Sequence, residues 1–327
     1  MSGRIVYFNG QFLPEADARI SIFDSGVVTG DMVFESTRTF RGQPFQLETH
    51  LDRLFGSLEI LQMNCGLTKE ELKSLTFETL DRNRETESPD MEWQIIHNIS
   101  PGPAEVFQAA FAEGIHPTVC INCWPLIPQL GRLAREYTEG VSLVIPEQRA
   151  LPPRLMNPHA KTRSRAHAKI AQIQANQIEP GAWALLLDEA DYLAEGPSWN
   201  IFLVREGRLL TPTTRNVLPG VSRTITIQLA HELGIPVEET NIKPGEAHTA
   251  QEMFCTATSF CVIPVRSIDG TRLTANCPGP ITQQLSEAWQ KHVGVDFIAQ
   301  AQDFAGRLIP WREKELAAQT STLSGDA

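Results

Sequence analysis

Residues 159–178 read HAKTRSRAHAKIAQIQANQI, and the fold turns on where the chain changes conformation inside them. His159, Lys161, Arg163, Arg165, His167 and Lys169 occupy every second position. A strand would put these bases on one face, whereas a helix would scatter them around its axis. The later spacing of Ala166, Ile170 and Ile173 is helical, so the stretch is expected to finish a strand at Lys161 and to run as a helix from about Ser164. The bases then do not act as one row. Lys161 stands at a strand-to-helix switch, where a side chain can enter a cleft, and Lys169 is an ordinary helix residue.

The rest of the chain bounds what that cleft could hold. At 327 residues it is long for one hydrophobic core, so two domains are expected. Lys and Arg number 28 against 39 Asp and Glu, a net charge of -11, which argues against nucleic acid or an anionic membrane as partner. An anionic ligand would need locally gathered positive charge. The start MSGRIVYFNGQFL lacks the charged beginning and apolar centre of a signal peptide, and no run is long enough to span a bilayer, so a cytoplasmic location is expected. Six cysteines are sparse for this length and read as reduced thiols. Cys120 and Cys123 form one CxxC inside a strand-like segment without a second ligand pair, so no metal site is expected.

RIVYFNGQFLPEADARISIFD places short apolar strands around Asn9-Gly10, a hairpin signal. FQLETHLDRLFGSLEILQM sets Leu47, Leu51, Leu54, Phe55, Leu58 and Leu61 at helical spacing, and TKEELKSLTFETLDRN continues as a second amphipathic helix. Glu92 to Pro125 reads as two strands, and WPLIPQLGRLAREYTEG, which mixes Pro and Gly without periodicity, as a linker. Beyond it lie a strand in GVSLVIPEQRA, a meander from Ala182 to Pro212, a helix in SRTITIQLAHELG and a return to strands in EMFCTATSFCVIPVRSIDG. The expected class is α+β: a small N-terminal α/β domain over 1–125, a linker over 126–137, a larger domain rich in antiparallel sheet over 138–293, and a partly disordered C-terminal extension over 294–327.

Three features could bind phosphate. LPGVSRTITIQ sets Pro219 and Gly220 before a helix with Ser222 near its cap, a geometry that taken alone reads first as a plain cap and second as an anion site. Thr256 and Thr258 in CTATSF could bring hydroxyls to the same anion, and Arg53, opposite the leucines of its helix, is either a charge partner or a solvated surface residue. Lys161 in a cleft can be kept neutral and form a Schiff base with a carbonyl. Glu195 stands just before an apolar strand, a costly place for a lone carboxylate unless a cationic ring nitrogen meets it. A lysine, an acid for a ring nitrogen and a phosphate cup are the requirements of a pyridoxal phosphate site.

The order GDMVFESTRTFRGQPFQLETHLDRL, HAKTRSRAHAK, YLAEGPSWNIFLV, LTPTTRNVLPGVSRTITIQLAHELGIPVEE and MFCTATSFCVIPVRSIDG resembles the class IV (fold type IV) pyridoxal phosphate enzymes over roughly residues 4 to 290. That group includes branched-chain and D-amino acid aminotransferases, (R)-selective amine transaminases and aminodeoxychorismate lyases. The resemblance implies pyridoxal 5'-phosphate as cofactor, Lys161 as the Schiff-base lysine and proton shuttle, and Glu195 as the partner of the pyridine nitrogen. It assigns Arg53, Val221, Ser222 and Thr256 to the phosphate and Asn200 to a position beside the cofactor. Phe34, Ala257 and Thr258 fall where the family shapes its substrate pocket. A homodimer is implied as well.

Branched-chain enzymes carry tyrosines near the positions of Thr29 and Ala166, and both are missing here. D-amino acid enzymes use an Arg and a His in the strand around QIIHNIS, where only His97 is present, so His97 is read either as a carboxylate holder or as a strand residue. Arg38, Arg163 and Arg165 are alternative carboxylate holders. The expected activity is transamination between a small-molecule amino donor and an oxo acceptor, with branched-chain-like L-amino acids first, D-amino acids or (R)-amines second and a lyase third.

Overall fold

Asn9 and Gly10 enter the left-handed region, with φ of 47° and 87°, and turn the chain back so that Phe8 faces Gln11 across the hairpin. A computed structural model describes residues 3–85, 87, 88 and 90–323. It divides the chain into two compact units, one of Met1–Gly131, Ala160–Ser164 and Asp303–Ala327, the other of Arg132–His159 and Arg165–Gln302.

The first unit holds strands β1 (Ile5–Phe8), β2 (Gln11–Pro14), β3 (Val33–Phe40), β4 (Gln43–Pro44), β5 (Trp93–Ser100) and β6 (Thr118–Pro125), with helices α1 (Ser25–Val28), α2 (Leu47–Ile60), α3 (Lys69–Arg84) and α4 (Ile127–Leu130). The strands form one antiparallel sheet in the order β2-β1-β6-β5-β3-β4. Side chains alternate across it. The face that carries Ile95, Ile99 and Ile121 packs under α2 and α3, whose Leu51, Leu54, Leu72 and Leu80 are fully buried. A capping box between Thr68 and Glu71 starts α3, as TKEE in the sequence requires.

The second unit holds α5 (Glu136–Glu139), β7 (Val141–Val144), α6 (Ala166–Ile178), β8 (Trp183–Ala184), β9 (Asn200–Arg205), β10 (Arg208–Pro212), α7 (Val221–Glu232), β11 (Val237–Thr240), α8 (Pro244–His248), β12 (Glu252–Ala257), β13 (Cys261–Ile268), β14 (Thr271–Arg272), α9 (Pro280–Val293) and the start of α10 (Phe297–Leu323). Its sheet runs β11-β10-β9-β12-β13-β7-β8, with β14 beside β13. The centre, β10-β9-β12-β13, is antiparallel, and β11, β7 and β8 add parallel pairs at the flanks. The class is α+β, as the order of elements in the sequence requires.

Four expectations change. Lys161 does not close a regular strand: it lies in an extended segment that makes one bridge, Thr162 to Val33. α6 begins at Ala166, but Ala168, Ala171 and Ala175 form its buried face, and Ile170 and Ile173 are exposed. Small side chains let the helix lie close to the apolar cluster of Val144, Ala184 and Leu186. The expected linker is helical, with Ile127–Leu130, Gly131–Leu133 and Glu136–Glu139, and the unit boundary falls inside it. The expected C-terminal extension is helix α10 as far as Leu323; Trp311 packs on Trp124 with ring centroids 5.9 Å apart, and Glu315 takes two hydrogen bonds from Arg4 at 2.9 and 3.1 Å. The polar end STLSGDA, expected to be disordered, continues α10 through Leu323, and its last residues, 324–327, lie outside the described residues.

Candidate active site

Lys161 belongs to the first unit, and its backbone is held from both sides. Its N–H donates to Ser57 Oγ at 3.0 Å, and its carbonyl accepts from the Phe34 N–H at 2.9 Å. The Arg163 N–H donates to the Met32 carbonyl at 2.8 Å, so residues 161–163 run as an extended piece beside the start of β3. In such a piece Lys161 and Arg163 project to the same side. The Phe34 ring meets both: Lys161 Nζ lies 4.8 Å and Arg163 Cζ 3.8 Å from its centroid.

One face of α2 supports this arrangement. His50, Arg53 and Ser57, three and four residues apart, share that face. Arg53 is not a solvated surface residue: its side chain is 10% exposed and grips the fully buried Glu35 of β3 with Nε at 2.8 Å and Nη2 at 2.6 Å. His50 Nδ1 is 3.1 Å from the same carboxylate, and the Ser36 N–H donates to it at 2.8 Å. Burial alone would raise the Glu35 carboxyl, but the Arg53 charge and the His50 contact outweigh burial and hold it well below the usual carboxylate range. Ser57 Oγ, which receives the Lys161 N–H, itself donates to the Arg53 carbonyl at 2.9 Å. Lys161 and Arg53 thus hang on one turn of helix.

His97 does not join them. Alternation along β5 turns it to the helix-covered face with Glu35, where it is fully buried and its Nε2 lies 2.8 Å from Thr76 Oγ1 of α3. His97 thus lies on the sheet face away from Phe34, in line with its reading as a strand residue, and the neighbour that faces Phe34's side is Asn98. Arg38 is set apart from Phe34 as well. It lies four residues along β3 from Phe34, about 13 Å at strand spacing; it is fully buried, with its guanidinium 3.9 Å over the Phe40 ring and Nε donating to the Thr39 carbonyl at 3.1 Å.

The second unit gathers another set. Asn200, the first residue of β9, donates from Nδ2 to Glu195 Oε2 at 3.0 Å and to the Leu218 carbonyl at 3.1 Å, and the Leu218 N–H donates to the same Glu195 oxygen at 3.2 Å. Asn200 pairs across the sheet with Thr256 of β12. Gly220 caps α7 with no side chain, and a Cβ there would overlap Asn200 Oδ1, so the close approach requires glycine. Val221 and Ser222 open α7, both buried. Thr256 Oγ1 is buried with no hydrogen-bond partner. Ala257 and Thr258 follow, half-buried, where β12 ends. Arg165 also lies in this unit, where burial holds its guanidinium below the ordinary arginine value and the charge of Glu195 offsets only part of that.

These features fit a bound phosphate ester. A buried hydroxyl without a partner costs about 1–3 kcal/mol unless a ligand meets it, and a helix start approached through a bare glycine offers N–H groups to an anion. The sequence alone had not singled out Glu35, His50, Ser57 or Asn98. A charged residue inside the strand VFESTRTF was the available signal for Glu35; the others acquire meaning only through partners distant in sequence.

The family model described as amino-transferase class IV matches residues 32–268. The putative branched-chain-amino-acid aminotransferase of Methanocaldococcus jannaschii is 34% identical over 286 residues, which covers 87% of this chain and 95% of that protein. The D-alanine aminotransferase of Bacillus licheniformis is 27% identical, with 88% and 96% covered. Among solved structures, a branched-chain amino acid aminotransferase with pyridoxamine 5'-phosphate, from the source abbreviated T.th., superposes with a TM-score of 0.80 at 26% identity, over 89% of this chain and 94% of that one. A family match through most of the chain, a shared fold and a site that fits a phosphate ester make this protein a class IV aminotransferase, an enzyme of pyridoxal phosphate-dependent transamination.

Proposed function

We propose that the protein exchanges an amino group between a branched-chain-like L-amino acid and a 2-oxo acid, with pyridoxal 5'-phosphate as cofactor, as a homodimer in the cytoplasm. The observation that carries this reading is Lys161, with its backbone pinned by Ser57 and Phe34 and its amine laid over an aromatic ring. When bound, pyridoxal phosphate supplies an aldehyde for that amine and a ring that takes up the electron pair left as the substrate Cα–H bond breaks. Lys161 Nζ takes the proton from the substrate Cα and later returns it. Glu195, oriented by Asn200 and the Leu218 N–H, holds the proton on the ring nitrogen. Thr256 Oγ1 and the first N–H groups of α7 hold the phosphate; Arg53, which the resemblance also assigns to the phosphate, has its guanidinium fixed by Glu35. Phe34, Ala257 and Thr258 shape the substrate pocket.

The apolar Phe34 and the names of the relatives favour a branched-chain side chain. The D-amino acid reading is weakened because His97 faces α3. Ile170, Ile173 and Ile178 stand exposed on α6, the kind of apolar patch that a second copy covers. Six cysteines that form no disulfide support a reducing compartment.

The test is spectroscopic. Wild-type protein incubated with pyridoxal phosphate should show a visible band that Lys161→Ala abolishes, and L-leucine should bleach it faster than D-alanine or (R)-1-phenylethylamine. A protein without the band overturns the enzyme assignment; a response to D-alanine or the amine alone overturns the substrate.

A further inference from the structure

We infer that Arg163 is a specificity-determining residue that reads a second, distal carboxylate on the substrate, with Asn98 as its positioning residue; this rests on the aminotransferase reading above. Arg163 and Lys161 lie on one extended segment and share one ring. The guanidinium is stacked 3.8 Å from the Phe34 centroid, and the amine is 4.8 Å from the same point, so the ring bounds how far apart the two cations can be. Arg163 is also fixed in direction. Its Nε and Nη2 both donate to Asn98 Oδ1, at 2.9 and 2.7 Å, and Asn98 stands directly across from Phe34 in the pairing of β5 with β3. Ring and amide thus form one ledge under the guanidinium. Stacking on an aromatic face and a fork held at one edge leave a guanidinium planar and pre-oriented for a carboxylate.

The position chooses which carboxylate. Lys161 is half-buried while Arg163 is exposed. The substrate atoms at Nζ are the amino group and Cα; the group that reaches the exposed cation is the far end of the side chain. In a protein of net charge -11, a cation held this close to the reacting amine is the local positive charge that a dicarboxylic amino acid or 2-oxo acid needs. An amino acid with a neutral side chain meets the Phe34 ring and the aliphatic stem of the same arginine instead.

Glutarate and pentanoate, unreactive acids of equal chain length that differ by one terminal carboxylate, separate the two contributions. Their affinities are measured by titration of the pyridoxal phosphate-loaded protein at low ionic strength, followed at the visible band. Wild-type protein should bind glutarate at least tenfold more tightly than pentanoate, and the preference should shrink as salt is added. In Arg163→Gln the ratio should fall to within about twofold of unity, Arg163→Lys should keep part of it, and Asn98→Ala should lower it. An unchanged ratio in Arg163→Gln, no preference in wild type, or an equal loss for both acids overturns the inference; the last outcome would make Arg163 the holder of the common carboxylate. Absence of the visible band in wild type would overturn the aminotransferase reading and this inference with it, whereas a normal band with an unmoved ratio overturns only the role of Arg163.

Discussion

Thr256 shows how a single side chain records a ligand. Its hydroxyl is buried in β12 without a hydrogen-bond partner, and an orphaned donor of this kind destabilises a protein that has nothing bound. Thr256→Val keeps the shape and removes the polar atom. The cofactor-free variant should be more stable than wild type by about 1 kcal/mol, while its affinity for pyridoxal phosphate falls about tenfold. Thermal melts without cofactor and a pyridoxal phosphate titration check the two signs together. Lys161 and Glu195 were singled out in the sequence beside local signals, an approach to a helix and a turn before an apolar strand, and took their proposed roles from the family resemblance. Arg53 was legible only as a cation. That it is buried and gripped by Glu35 follows from the pairing of α2 with β3, eighteen residues apart in the chain.

At the scale of elements, local rules served hairpins and caps well. Asn9-Gly10 and Glu206-Gly207 both turn in the left-handed region, and Thr68 and Glu71 pair in a capping box at the start of α3. The turn Glu195-Gly196-Pro197-Ser198 has a different logic, set by what it packs on. The Trp199 indole lies where a Cβ of Gly196 would be, and Trp199 is itself buried near Trp183. Gly196→Ala should therefore shift the turn that presents Glu195. The expected loss is about 1–3 kcal/mol of stability, as for other overpacked sites, together with a weakened visible band on pyridoxal phosphate addition. Chemical unfolding and the absorption spectrum read these separately, and a variant of wild-type stability and spectrum would show that the indole yields freely. α6 illustrates the limit of periodicity. Its isoleucines and its alanines are both spaced for a helix, and only the close approach of the neighbouring strands selects the alanine face.

At the scale of the whole molecule, buried histidines contribute to the response to mild acid. Burial pulls His97 from 6.5 to about 4, and His50 is lowered for the same reason against the pull of Glu35. Between pH 6.5 and 4 the unfolded chain binds a proton at His97 that the folded chain does not, so unfolding takes up protons and stability falls as pH is lowered through this window. The loss at His97 reaches about 3 kcal/mol at the low end and none of it is felt above pH 7. Urea unfolding at pH 7 and pH 4.5 should show the decline, and His97→Gln should flatten it in part, with His50 sustaining the remainder. An equal slope in the variant would place the acid sensitivity elsewhere. By itself the sequence determined the class of fold and the order of its elements, because turns, caps and amphipathic faces are properties of neighbouring residues, and it singled out Lys161 and Glu195 as candidates whose roles came from the family resemblance. Only the tertiary structure decided that Arg53 answers to Glu35, that His97 is packing, and that Arg163 shares a ring with Lys161. Those facts depend on which strand lies beside which and on which face each residue presents, and one step of register along β5 separates His97 under α3 from Asn98 beneath Arg163.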